Sequence, residues 1–244
     1  MKLTFITTAL LIGASGAFAQ GLSGATVALE YTTYPDVDNE TSTGFSGSAE
    51  FDIVNGFSVA ADLSNTSFES IDDNGTNVVV HAIYAINPDV SVGGFIGREA
   101  TDGEEVDSYG AEIAYKSGMT GLEAYLGAGD VNSVDLVNSV DLTYVGISGS
   151  YGLGNGISVI GGYDRVGFDL GGDVTFSAID IGGEFAFSGG AAFYVKAGQL
   201  SLDAPGPNDE ENYFEIGASF SFGPMGGTTF SSRGLLENVP LDAL

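Results

Sequence analysis

The sequence predicts an all-β fold: an up-and-down antiparallel transmembrane β-barrel of about twelve strands, with short periplasmic turns and longer external loops. Three observations carry this. Twelve stretches of period-two alternation are separated by five short and six long connections in strict alternation. The stretches run roughly nine to eleven residues, the length a tilted barrel strand needs to cross a bilayer. Their number is even, as in bacterial single-chain barrels, so both ends of the barrel lie on the short-turn side.

The short turns are Asn55-Gly56, Asn87–Asp89, Ser117–Gly121, Gly152–Gly156 and Ser188–Gly190. The longer polar segments lie near 35–43, 65–75, 100–107, 131–139, 169–173 and 203–211. The first strand, about 25–34, sets Val27, Leu29 and Tyr31 against Thr26, Glu30 and Thr32. Strand two, about 43–54, is the clearest: Phe45, Gly47, Ala49, Phe51 and Ile53 alternate with Ser46, Ser48, Glu50 and Asp52. Asn55-Gly56 follows as a two-residue hairpin turn, since both residues tolerate positive φ. Strand three, about 57–64, opposes Phe57, Val59 and Leu63 to Ser58 and Asp62. Strand four, about 76–86, is apolar on both faces except for His81, and strand five, about 90–98, carries Val90, Val92 and Ile96 on one face. Strands six (about 107–116) and seven (about 121–129) oppose Tyr109, Ile113, Leu122 and Leu126 to Glu112, Lys116 and Glu123. Strands eight (about 139–151) and nine (about 157–168) alternate less cleanly. Strands ten (about 174–187), eleven (about 191–201) and twelve (about 212–222) turn Asp180, Glu184, Lys196 and Glu215 away from their Ile, Val and Phe residues.

The N-terminus reads as a signal peptide over residues 1–19. Lys2 supplies the positive start, Leu3–Ile12 the apolar run, and Ala17-Phe18-Ala19 a small-residue cleavage site, so that Ala19 and Gln20 flank the cut. Residues 20–222 then form one barrel domain and 223–244 a tail, hanging in the periplasm or folded back into the lumen. The chain has 33 acidic residues, 6 basic ones and no cysteine. The charge excludes nucleic-acid binding, which needs a basic footprint. Lack of cysteine excludes disulfides, thiolate metal sites and thiol nucleophiles. No cofactor is expected.

In a barrel set in lipid the apolar face points out and the polar face lines the lumen. That parity makes Glu30, Glu50, Asp52, Asp62, Glu112, Lys116, Glu123, Asp180, Glu184, Lys196 and Glu215 the pore-lining candidates. Rings of carboxylates favour cations, although a small barrel is also filled by its own side chains. Acidic groups in the loops, such as Asp102, Glu104, Glu105 and Asp107, read as a solvated surface without the spacing of a calcium loop. A tandem repeat, Val131–Leu136 followed by Val137–Leu142, reads as a duplication in a loop. His81, the sole histidine, reads as structural, with no acidic partner at a convincing offset.

The signal peptide, the Gly/Ala/Ser-rich strands, the NG and GLGNG turns and the stretch NYFEIGASFSF at 212–222 together resemble a Gram-negative outer-membrane porin-like β-barrel. The resemblance covers almost the whole mature chain. Its closing Phe220-Ser221-Phe222 is similar to the aromatic-ended strand that barrel-assembly machinery recognises. The resemblance departs in two ways: this chain runs on for 22 residues to Leu244, and twelve strands are fewer than the sixteen or eighteen of general porins. It implies a passive diffusion channel for small hydrophilic solutes, with a cation preference from the acidic lumen, outer-membrane lipid around it and a homo-oligomer for which the sequence offers no interface patch. A non-conducting barrel acting as a structural or surface-interaction protein is the alternative. A lipid-modifying barrel enzyme would need His81 to face a serine and a polar orienter at the lipid boundary.

Overall fold

The computed structural model describes residues 21–36, 40–69, 74–101, 104–133, 139–169, 173–204 and 209–234. The signal-peptide residues, with Ala19 and Gln20, lie outside the described residues. Twelve strands follow one another: β1 (Leu22–Tyr34), β2 (Glu40–Val54), β3 (Phe57–Phe68), β4 (Asn74–Asn87), β5 (Val90–Ala100), β6 (Glu104–Ser117), β7 (Thr120–Ser133), β8 (Val140–Gly154), β9 (Ile157–Asp169), β10 (Asp173–Ala186), β11 (Ala191–Asp203) and β12 (Asp209–Phe222). Each pairs antiparallel with its sequence neighbours, and β1 pairs β12 from Ala25↔Phe222 to Thr33↔Phe214, so the sheet closes without an edge. Among the described residues no helix is long and apolar enough to cross a membrane, which says nothing of a barrel that crosses with strands.

All five short turns fall where the sequence places them. Asn55 and Gly56 have φ of 39° and 84°, and Asn155 and Gly156 have 56° and 81°. Left-handed backbone is open to Gly and, at small cost, to Asn, which is why these pairs sit at the tips. The strands are longer than predicted, 11 to 15 residues, because the ladders run through the predicted loops. Glu104, Glu105, Asp107, Asp209, Glu210 and Glu211 are strand residues. Polarity marks where lipid ends; the backbone ladder needs only a partner and continues beyond it. There Arg98 of β5 faces Asp107 of β6 in a bidentate pair at 2.6 and 2.7 Å, exposed above the apolar band. The duplicated hexapeptide is split, its first copy continuing β7 and its second ending in β8, with residues 134–138 outside the described residues.

The apolar faces point outward. Ile181 is 66% exposed and Leu126 65%, values that suit lipid and not a water-facing surface. Aromatic residues bracket the band: Phe57, Tyr84, Tyr115, Tyr151, Phe185 and Phe222 near the turns, and Tyr31, Tyr109 and Phe214 toward the loops.

The lumen has two unlike halves. Toward the loops it is a hydrophobic core: Val79, Phe95, Val106, Leu142, Tyr144, Val166, Phe168 and Phe176 are buried against one another. The expected polar lining is therefore corrected for this half. These residues lie on β4, β5, β6, β8, β9 and β10, several of which are apolar on both faces, so period two gave no warning. Toward the turns the lumen is polar, and residues 223–234 fold back into it. Gly223, Gly226 and Gly227 have φ of 94°, 69° and 138°, and the Met225 amide donates to the Ser23 carbonyl at 2.8 Å. This reversal passes so close to Gly24 that a Cβ there would overlap the Gly227 backbone. Beyond it, Phe230 is 2% exposed and packs against Ala60 and Ile83.

Candidate functional site: the charged half of the lumen

All eleven pore-lining candidates have inward parity. The structure divides them by partner. Glu50, 1% exposed, accepts from the Thr229 amide at 2.7 Å and from Thr229 Oγ1 at 3.1 Å. Asp52 lies at the exposed rim and accepts from Ser58 Oγ at 3.0 Å. Asp62 Oδ2 is 2.6 Å from His81 Nε2, and Glu112 Oε1 is 2.7 Å from His81 Nδ1. Glu123 accepts from the Ser231 amide at 3.0 Å, from Ser231 Oγ at 3.1 Å and from Arg233. Lys196 pairs with Glu215 at 3.2 Å, directly across the β11–β12 register. Tyr194 Oη donates to Glu30 at 3.3 Å. Asp180 lines the central cavity, Lys116 its rim, and Glu184 faces inward near the turn end of β10.

His81 is fully buried between carboxylates on two other strands. The arrangement suits an imidazolium, in which both ring nitrogens donate. Glu112 reaches it across β5 only because Gly93 lies between: a Cβ there would stand 2.7 Å from Glu112 Oε1. Phe230 covers the ring, with centroids 6.2 Å apart and planes 14° from parallel. The expectation that His81 lacks an acidic partner is thus corrected. Its partners are close in space through strand pairing, which offset along the chain does not reveal. His81 faces carboxylates in the lumen, not a serine at the lipid boundary, so the condition for a lipid-modifying enzyme is not met.

Two further groups join the site. Asp164 accepts from Tyr125 Oη at 2.5 Å; it sits on β9, whose alternation was poorly legible. Glu99, also inward and 5% exposed, lies apart from the site, one residue from the loop end of β5. Arg233 comes from the tail, donating to Glu112 at 3.0 Å and to Glu123, with its guanidinium 4.4 Å from the Tyr125 ring. The readable signal for the tail was Gly223-Pro224-Met225-Gly226-Gly227, a strong turn cluster just after the last strand. A cavity of about 630 Å³ remains, reaching the β6–β7 turn at the rim and lined by Glu30, Glu123, Asp164, Asp180, Glu215, Lys116, Lys196 and Arg233 among others.

The closed twelve-strand antiparallel barrel is a fold that solved outer-membrane channels share. The chain is similar to an outer membrane channel from Pseudomonas putida F1, at TM-score 0.59 and 10% identity, covering 85% of this chain and 99% of that one. It is similar to the KdgM porin in complex with disordered oligogalacturonate, at TM-score 0.55 and 12% identity, covering 82% and 99%. OmpT of Vibrio cholerae, expressed in the outer membrane, matches at TM-score 0.52 and 10% identity, covering 82% and 97%. At such identities the likeness is one of fold. No protein-family profile matches the chain, and no curated protein matches its sequence.

Proposed function

We propose that this chain is a narrow porin-like channel in the outer membrane of a Gram-negative bacterium, passing small hydrophilic solutes with a preference for cations. The observation that carries the reading is the cavity of about 630 Å³, whose charged lining comprises five carboxylates and three cationic side chains. An acidic, confined lumen raises the local concentration of cations and repels anions. The outward apolar band with its two aromatic levels supports a place in lipid. The KdgM porin was solved with oligogalacturonate, a polyanion; the net negative lining here disfavours a solute of that kind.

The apolar, filled loop-side half favours a second reading, a non-conducting structural barrel. Single-channel recording of the refolded protein in a planar bilayer under a salt gradient separates the two. Conductance steps with a cation-selective reversal potential are expected, and Asp180→Asn with Glu215→Gln should move that potential toward zero. A folded barrel that stays silent selects the structural reading.

A further inference from the structure

The tail carries one basic residue, Arg233, and its guanidinium is seated as a bound ligand would be. The side chain is 3% exposed. It donates to two carboxylates, Glu112 and Glu123, and lies over the face of Tyr125. Two carboxylates and an aromatic face are the elements that recognise a planar cation. These three partners belong to the β6 and β7 wall. Arg233 belongs to a tail joined through a glycine turn, so the occupant can leave without breaking any strand ladder.

Two observations indicate room for another occupant. The cavity of about 630 Å³ is lined by Glu123, Tyr125 and Arg233 themselves, so the seat opens directly into free volume. Beside the tail, a hollow of about 330 Å³ is lined by Asp62. Asp62 is 4% exposed, and its Oδ1 has no hydrogen-bond partner among the described residues. With Arg233 gone, Glu112 would keep His81 as a partner, while Glu123 would lose its cation.

We infer that Glu112, Glu123 and Tyr125 form a binding site for a small organic cation bearing a guanidinium group, with Arg233 as its built-in occupant. The tail competes with the solute for this seat. The channel reading supplies the solute's route in; the site itself stands on the wall geometry. A tethered competitor acts at millimolar effective concentration, so the free solute binds well only once the tail is out.

The test is isothermal titration of folded, detergent-held protein with L-argininamide. A chain ending at Phe222 retains the aromatic-ended β12 and should bind at least about ten-fold more tightly than the full chain. It should prefer L-argininamide to L-lysinamide and lose most of its affinity with Glu123→Gln. Ser48 Oγ and Thr228 Oγ1 are 3.2 Å apart in a chain without cysteine, so Ser48→Cys with Thr228→Cys can lock the tail in place. Oxidised, this variant should not bind; reduced, it should match the full chain. If the shortened chain fails to fold, full-length Phe230→Ser with Arg233→Ser takes its place. Equal affinity of full and tail-free chains, or binding indifferent to Glu123→Gln, overturns the site. Bilayer recording of the same variants separates this from the channel reading. Silence with binding removes the channel and keeps the site, and conduction without binding does the reverse.

Discussion

The two halves of the lumen are built by the same strands with the same inward parity, yet they are different materials. The loop-side half is packed as a soluble protein core is, with Leu142 1% and Phe176 5% exposed. The turn-side half is a network of carboxylates held by His81, Lys196 and a tail that is not part of the sheet. Barrel closure therefore does not decide what fills a barrel. Dispersion and hydrophobic burial hold one half, and mutual satisfaction of charges holds the other. Only the second can change its occupant without collapse.

The comparison can be broken most severely by placing a charge in the wrong half. Leu142→Asp should abolish the folded, heat-modifiable species on a gel, because an unpaired carboxylate in an apolar core costs several kcal/mol. Ser148→Asp, inward on β8 and lining the polar cavity, should still fold. Next comes Glu112→Ala, which takes a buried partner from both His81 and Arg233 and should cost about 3–5 kcal/mol in urea unfolding from lipid vesicles. Phe176→Ala should lose a similar amount, about 3–5 kcal/mol, by cavity formation. Phe230→Ala should lose clearly less, because the tail can detach while the barrel stays closed; equal losses would show that the tail is an integral part of the core. The smallest effect belongs to the turn tips: Asn155→Val, at φ 56°, should cost about 1–2 kcal/mol and leave the lumen unchanged.

Much of this was legible because a barrel strand writes itself with period two. Strand two, with Phe45, Phe51 and Ile53 against Glu50 and Asp52, shows lipid face and lumen face directly. The Asn-Gly and Gly-rich turns were legible because positive φ restricts residue choice. Where both faces are apolar, as around Val78–Val80 and Ile83, alternation is erased, and the loop-side core was hidden for that reason. The site was half legible. Parity names each inward carboxylate but not which ones meet, and Asp62, His81 and Glu112 lie on three different strands.

The sequence by itself determined the strand count, the turns and which side chains share a face, because those depend on local backbone preference and a repeat of two. Tertiary structure decided that the polar face is the one enclosed, that β1 closes on β12, and that Phe230 and Arg233 return to cover His81 and bridge Glu112 to Glu123. Those outcomes depend on contacts between residues far apart in the chain, from Arg233 and Glu112, 121 positions apart, to the β1–β12 pair Ala25 and Phe222. No local period encodes such a contact; it is set when the sheet closes and its enclosed charges find partners.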